Sequence, residues 1–159
     1  MRSLEMKESP NQIPEKSNCT IRRPQPSDLD RIAELAGQLG YPCTAEEISK
    51  RLDQMQDSRQ YAVYVAEVSG GIAGWIGLHV FRAIELGECV EISGLIVDED
   101  MRSRGVGKLL LDAAEEWARS LGCPAIWVHS NIKRKRAHGF YMRNGYERIK
   151  AQQLLHKNL

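Results

Sequence analysis

The stretch Arg102–Gly107 places two arginines and two glycines between a run of β-branched apolar residues and a strongly amphipathic segment. Glycine lets the backbone approach a bulky ligand closely, because no Cβ stands in the way. The first turn of a helix leaves several N–H groups without internal acceptors, and the helix dipole adds a partial positive charge there. This combination predicts a helix start that binds a phosphate-bearing ligand.

Two common glycine-rich phosphate motifs do not fit this stretch. A P-loop has glycine at its first position and Ser or Thr after its Gly-Lys pair, whereas this chain has Arg102 and Leu109 there. A dinucleotide-binding fingerprint has a third glycine three residues after the second, where this chain has Leu110. The pattern that remains is R-x-x-G-x-G, after a strand and at the start of a helix.

Three segments of the chain resemble one known family. Arg102–Gly107 matches the Q/R-x-x-G-x-G/A pattern with which the GCN5-related N-acetyltransferases (GNAT) bind the pyrophosphate of acyl-CoA. Val90–Asp98 is similar to the fourth strand of that family. Asn131, followed by A-H-x-F-Y-x-x-x-G-Y over residues 137–146, is similar to the second half of its signature. The resemblance extends over most of the chain and is most specific between residues 91 and 146.

The resemblance implies an α+β fold, in which helices flank a mixed, mostly antiparallel sheet. Strands 4 and 5 of that sheet splay apart, and the pantetheine arm of the cofactor lies in the gap. Gly94 either marks the bulge that accompanies the splay or relieves crowding within the strand. We expect the polar residues 1–18 to form a flexible tail and residues 19–159 to form a single domain.

Periodicity, caps and breakers predict the individual elements. Thr44 and Glu47 have the spacing of a capping box at the start of the second helix, which extends to about Met55. Strands are predicted at residues 20–23, 61–68, 72–81, 89–97, 125–129, 146–149 and 152–157. The other helices are predicted after Ser27 or Asp28, from Val106 to about Leu121, and through Tyr141 with a stop at Asn144-Gly145. The apolar stripe of the helix from Val106 consists of Leu109, Leu110, Ala113, Ala114, Trp117 and Leu121.

The resemblance also implies which residues contact acetyl-CoA, the co-substrate. The backbone of the fourth strand is expected to bind the pantetheine amides and to stabilise the oxyanion. The loop and the helix start are expected to bind the pyrophosphate, and Asn131 the pantetheine arm. The full expected set is Leu95, Ile96, Val97, Arg102, Ser103, Arg104, Gly105, Val106, Gly107, Lys108, Asn131, Arg134, Ala137, Phe140 and Tyr141.

Tyr141 is the candidate general acid for the departing thiolate. By resemblance, this position of the Phe-Tyr pair reaches the sulfur, and a phenol that is protonated at neutral pH suits the role. The alternative is that Phe140 and Tyr141 are both core residues of a short helix.

Glu91 is the candidate general base, acting through a water molecule. It lies eleven residues before Arg102, which is the offset of the catalytic glutamate in the histone-acetylating branch of the family. It also interrupts an apolar strand, where a carboxylate is costly unless it is solvated or paired. The alternative is a glutamate that faces solvent or pairs with a cation. His79 is the reserve candidate for the base.

Composition narrows the range of partners. The net charge of +1 creates no global field towards nucleic acid or an anionic membrane. The basic run of residues 133–136 is interpreted as a border of the cofactor groove that attracts the 3′-phosphate, and neither nucleic acid nor a membrane is expected as a partner. The four cysteines have neither the spacing of metal ligands nor that of a disulfide framework, so we expect no metal site. The N-terminal segment has no apolar core of the kind found in signal peptides, so we expect a cytoplasmic location.

The acceptor is the least constrained part of the prediction. The loop Leu39–Pro42 is a candidate lid, and Tyr41 contacts the acceptor or packs against Pro42. The segment 76–79 and residues 131–146 resemble small-molecule members such as the aminoalkylphosphonate and aminoglycoside 6′ N-acetyltransferases. We therefore expect a small primary amine as the acceptor, with a protein N-acetyltransferase or a non-catalytic acyl-CoA sensor as the alternatives. The family makes a homodimer plausible.

Overall fold

The computed structural model describes residues 19–55 and 58–159; the predicted tail at residues 1–18 lies outside the described residues. Five strands are present: β1 (Cys19–Arg22), β2 (Tyr61–Val68), β3 (Gly71–Ala83), β4 (Gly87–Val97) and β5 (Ile126–Val128). Four α-helices accompany them: α1 (Leu29–Leu39), α2 (Ala45–Met55), α3 (Val106–Ser120) and α4 (Lys135–Arg143). Short 3-10 turns precede α1 and follow β4.

The strands form one sheet in the order β1-β2-β3-β4-β5. The first four strands are antiparallel neighbours, and β5 runs parallel to β4. The turn at residues 69–70 joins β2 to β3, so the predicted hairpin is confirmed. A parallel last pair in an otherwise antiparallel sheet confirms the predicted α+β class.

Helices cover both faces of this sheet. On one face, α1 packs on the sheet, with Leu39 of α1, Ile48 of α2 and Trp75 at the margin of the cluster. Its buried core consists of Ile32, Leu35, Val65, Ile72 and Ile96. On the other face, α3 and α4 cover a larger cluster that includes Ile76, Leu78, Val90, Ile92, Leu110, Leu111, Ala114 and Tyr141. The apolar face of each helix is thereby removed from water, which is the main source of stability in such a fold.

Strands β4 and β5 separate partway along their length. Their parallel pairing ends at Ile92 opposite Val128, and β4 continues to Val97 with no strand beside it on that side in the described part of the chain. Ser93 is an extra residue in the β3–β4 register, between the pairs that Ile92 and Gly94 make. A Cβ on Gly94 would lie 3.0 Å from the Trp75 ring. The splayed pair and the bulge next to Gly94 are therefore present, and Gly94 also makes room for an indole.

The predicted apolar stripe of α3 is displaced to one side. Leu109, predicted to face inward, is 40% exposed. The buried positions are instead Val106, Leu110, Leu111, Ala114 and Ala118. The helix carries two apolar rows side by side, at residues 106-110-114-118 and 109-113-117, and periodicity alone does not determine which row lies against the sheet.

The two strands predicted at residues 146–149 and 152–157 are wrong, because residues 146–159 have no regular secondary structure. Ile149, Leu154 and Leu155 are exposed there, so nothing packs against them. Most of the intervening residues are polar or charged, and a strand with neither a buried face nor a paired neighbour has little to hold it. None of the helices in the described residues is both long and apolar enough to cross a membrane.

Candidate active site

The loop before α3 ends in an unusual backbone conformation. Ser103 has a φ of 64° and Gly105 a φ of 83°, in the left-handed region that favours glycine. The first helical N–H with an acceptor is that of Leu109, which donates to the carbonyl oxygen of Gly105 at 3.2 Å. The N–H groups of residues 105–108 donate to no acceptor among the described residues. The predicted cluster of unbonded donors is therefore present at the start of α3.

The side chains around this helix start differ in their exposure and in their hydrogen-bond partners. Arg102 is half-buried, and its Nε donates to the carbonyl oxygen of Val97 at 3.1 Å, so it lies between the loop and the free edge of β4. Ser103 and Arg104 are exposed. Lys108 is exposed and pairs with Asp112 at 2.7 Å across one helical turn. Of these side chains, only Arg102 is held in place at the β4 edge by a backbone contact.

Helix α4 contacts the start of α3 through the Phe140 ring. A Cβ on Gly107 would lie 3.3 Å from two atoms of that ring and 3.6 Å from a methyl group of Val97. Phe140 and Ala137 are both partly buried against the core on this side of the sheet. Gly107 therefore serves the packing of the two helices, in addition to exposing its N–H.

Tyr141 lies deep beside this junction, with only 9% of the residue exposed. Its ring packs edge-on against Phe140, with the ring centroids 5.3 Å apart, and against Tyr146 at 5.4 Å. Burial raises the pKa of Tyr141 to about 12, and the positive charge of Arg134 opposes part of that rise. Its hydroxyl therefore keeps its proton throughout the neutral range.

Glu91 lies between two histidines. Its Oε1 is 2.7 Å from Nδ1 of His129, which directly follows β5, and its Oε2 is 3.7 Å from Nε2 of His79 on β3. The first distance is a hydrogen bond, and the second is too long for one. Because side chains alternate along a strand, Glu91 points away from the cluster that holds Val90 and Ile92, towards the face that carries α1.

The turn before α4 connects the two helix layers. Asn131 accepts a hydrogen bond from the N–H of Lys133 at 2.9 Å through its side-chain oxygen. Arg134 donates from Nη2 to the carbonyl oxygen of Leu39 at 2.7 Å, at the end of α1. Tyr41 in the following loop is exposed and does not pack into the core. Arg134 thus links the candidate lid to the turn that carries Asn131.

His129 was not predicted as a site residue from the sequence. A histidine at a strand end carries no motif, and its contact with Glu91 spans 38 residues of the chain. The parallel pairing of β4 and β5 brings the end of β5 beside Glu91, and this pairing was not predicted from the sequence. No group of three or more His, Cys, Asp or Glu side chains in the described residues could hold a metal ion.

Comparison with known proteins identifies the family. The model of the Acetyltransferase (GNAT) family matches residues 29–146, which cover both helix layers and every element around the loop. The chain belongs to this family. It is an N-acetyltransferase, and the family resemblance predicted from the sequence is confirmed.

Two curated relatives and one solved structure are similar to this GNAT protein over most of its length. The aminoalkylphosphonate N-acetyltransferase of Salmonella typhimurium is 31% identical over 134 residues, covering 81% of this chain and 85% of the relative. The aminoglycoside N(6′)-acetyltransferase type 1 of Stenotrophomonas maltophilia is 26% identical over 133 residues, covering 80% and 86%. The aminoglycoside N-acetyltransferase AAC(6′)-Iy, solved in complex with CoA, has a TM-score of 0.80 at 19% identity and covers 92% of this chain and 99% of that chain.

Proposed function

We propose that this GNAT protein transfers the acetyl group of acetyl-CoA to a primary amine of a small molecule by direct attack. The observation that carries the proposal is the set of N–H groups at residues 105–108, which have no acceptor among the described residues. The N–H groups of a first helical turn have no acceptor within the helix, so a ligand that carries acceptor oxygens can bind them. A pyrophosphate offers acceptors of the right charge at the positive end of the helix dipole.

The same surroundings suit the rest of the co-substrate. The free edge at residues 93–97 of β4 can pair with the amides of an extended pantetheine arm, as an added strand would. Arg102 lies where this edge meets the loop, so its guanidinium can contribute positive charge beside the pyrophosphate. The contacts expected of Leu95, Asn131, Arg134 and Ala137 remain predictions of the same proposal. Acetyl-CoA, once bound, supplies an activated acyl group.

The acceptor amine must lose a proton before it can attack. An alkylammonium group has a pKa of about 10.4, so about one amine in 10³ is nucleophilic at neutral pH, a cost of about 4–5 kcal/mol. Glu91 provides the negative charge that favours proton removal, on the sheet face that carries α1 and the candidate lid. A base at this position would act on an acceptor that enters from the same face of the sheet.

Tyr141 is the proposed proton donor to the departing thiolate. Its pKa of about 12 keeps the phenol protonated at neutral pH, so the proton is available when the leaving group forms. The hydroxyl belongs to α4, whose Phe140 packs on the start of α3. The donor and the proposed pyrophosphate loop are thereby held by one rigid contact.

The small-molecule acceptor is supported by relatives rather than by a closed pocket. The relative that is 31% identical is an aminoalkylphosphonate N-acetyltransferase. A small amine with a phosphonate, phosphate or carboxylate group is the first acceptor to test.

The decisive test is an acceptor screen monitored by thiol release from acetyl-CoA. The panel contains aminoalkylphosphonates, aminoglycosides and lysine-containing peptides, and reactions without enzyme or without acceptor serve as the controls for background thiol release. We expect release with at least one small amine. Release with peptides alone would favour a protein N-acetyltransferase, and tight acetyl-CoA binding without release from any acceptor would favour an acyl-CoA sensor. Either result would overturn the proposal.

A further inference from the structure

We infer that the base of this enzyme is a pair, in which Nε2 of His129 receives the acceptor's proton and Glu91 is the positioning residue. The inference rests on the proposed function and adds to it a catalytic residue that lies outside the GNAT signature used above. It stands on the 2.7 Å contact between Nδ1 of His129 and Oε1 of Glu91.

The contact fixes the tautomer of the ring. An ionised carboxylate only accepts hydrogen bonds, so the Nδ1 atom that contacts Glu91 must carry the proton. The neutral ring then has its lone pair on Nε2, which makes no hydrogen bond among the described residues. Glu91 therefore orients the ring and holds it in the form that can accept a proton.

Exposure favours the histidine over the carboxylate as the atom that meets the acceptor. The side chain of His129 is 65% exposed, whereas that of Glu91, which contacts it, is 20% exposed. An amine that enters from the α1 face reaches the ring more easily than it reaches the carboxylate oxygens. Within residues 19–55 and 58–159, the titratable side chains that contact Glu91 are His79 from β3 and His129 from the end of β5.

The pair also lies at the end of the β4–β5 gap that is farther from the start of α3. Glu91 is in register with Trp127, one residue before the last β4–β5 pair, and His129 is the first residue after that pair. The free β4 edge from Ser93 to Val97 is about 13 Å long at about 3.3 Å per residue. A carrier bound by its pyrophosphate at the α3 start and extended along this edge would bring its thioester end towards the pair.

The proton transfer balances without a further reagent. One N–H bond of the ammonium breaks, its electron pair stays on the amine nitrogen, and the Nε2 lone pair forms the new N–H bond. The products are a neutral amine, ready to attack the thioester, and an imidazolium whose charge is stabilised by Glu91. The imidazolium then returns its proton to solvent.

His79 offers a matched control because it faces the same carboxylate without a hydrogen bond. We expect His129→Gln to lower kcat/KM at about pH 7 by about 10²-fold with unchanged acetyl-CoA affinity, and His79→Gln to have a smaller effect. His156→Gln, in the exposed C-terminal segment, reports the effect of losing a remote histidine. A loss with His79→Gln that exceeds the loss with His129→Gln would overturn the inference.

A pH profile separates a base from a structural residue. The free-amine fraction rises about tenfold per pH unit below a pKa of about 10.4, so alkaline solution replaces the missing base. We expect the His129→Gln defect to shrink from about pH 7 to about pH 9.5. A defect that stays constant over this range would assign His129 a structural role and overturn the inference.

A third measurement does not require turnover. The ¹⁵N shifts of the imidazole nitrogens, assigned with the His129→Gln variant, report the tautomer in the intact protein. We expect a proton on Nδ1 in the wild type and loss of that preference in Glu91→Val. A proton on Nε2 in the wild type would overturn the inferred pair and leave the proposed function standing. A wild type that acetylates no amine would overturn the proposed function as well.

Discussion

A methyl group on Gly107 would lie 3.3 Å from the ring of Phe140, so α3 begins in direct contact with α4. This contact joins the loop of unbonded N–H groups to the helix that carries Tyr141. The two parts of the proposed site therefore share one packing junction, and a change at Gly107 acts on both.

The first prediction concerns the tightness of this junction. Gly107→Ala should destabilise the protein by about 1–3 kcal/mol, because the Phe140 ring must move to admit the new methyl group. Gly37→Ala is the matched control. Gly37 is an exposed residue of α1, and a Cβ added to it would have no other atom within 4 Å. That change should stabilise the protein by about 0.5–1 kcal/mol through helix propensity. Urea denaturation measures both, and equal effects in the two variants would contradict the close contact.

The second prediction tests Tyr141 as the proton donor. Tyr141→Phe should lower kcat by about 10–10³-fold and leave acetyl-CoA affinity nearly unchanged, because it removes the phenolic proton but keeps the ring. Tyr146→Phe removes a buried hydroxyl that has no partner in the described structure, from a ring 5.4 Å away, and should keep near wild-type turnover. Steady-state kinetics and calorimetry measure the two quantities. Wild-type turnover by Tyr141→Phe would exclude the role.

The third prediction follows from the pKa of Tyr141. Burial raises it to about 12, above the value of about 10 expected in the unfolded chain. Between about pH 10 and 12 the folded state holds a proton that the unfolded state has lost, so this contribution to stability is complete below about pH 10 and is lost as the pH rises towards about 12. Tyr141→Phe should therefore lose less stability than the wild type between about pH 9 and 11. Equal losses in urea denaturation would show that the phenol ionises normally.

The fourth prediction concerns the tether between α1 and the end of β4. Asp98 is buried and accepts hydrogen bonds from the N–H of Asp100, from Gln38 at 3.2 Å and from Arg31. These contacts, led by that of Asp100, lower the pKa of the Asp98 carboxyl. Its contribution to stability is therefore present above the ordinary aspartate pKa and is lost as the pH falls through the lower folded value.

Asp98→Asn should destabilise the protein by about 1–3 kcal/mol at neutral pH and should weaken the loss of stability in acid. The control is Glu46→Gln, which breaks an exposed ion pair with Lys50 on α2 and should cost less than about 0.5 kcal/mol. Chemical denaturation at about pH 7 and 3 measures both. An unchanged acid slope in Asp98→Asn would contradict the lowered pKa.

Local signals predicted the elements whose ends are set by nearby residues. The Thr44–Glu47 capping box is present in both directions, with contacts of 2.8 and 3.2 Å, and α2 begins at the next residue. The hairpin around residues 69–70 and the helix start after Gly105 were also correct. Each of these features depends on residues within one turn of one another.

Features that depend on contacts between residues far apart in the chain were not predicted from the sequence. The choice of buried row on α3 depends on which residues of β3 and β4 it meets, and the predicted strands after residue 145 required a partner that the sequence does not specify. The contact between Glu91 and His129 depends on the register of β4 and β5, because this register brings together two residues that lie 38 positions apart in the chain. The sequence therefore indicated the loop and Glu91 but not the histidine bonded to it.

The central claim is that the N–H groups at the start of α3 bind the pyrophosphate of acetyl-CoA. Gly105 has a φ of 83° and no atom within 4 Å of a built Cβ, so Asn and Asp, which tolerate this conformation best, impose the same strain there. The two side chains differ mainly in charge, and at about 5 Å an added negative charge costs about 3 kcal/mol before salt screening.

Calorimetry of acetyl-CoA binding to Gly105→Asn and Gly105→Asp is the most direct test of this claim. We expect the Asp variant to bind about 10–10²-fold more weakly than the Asn variant, with both folded to the same extent. Equal affinity in the two variants would show that no anion binds at this helix start, and would contradict the account.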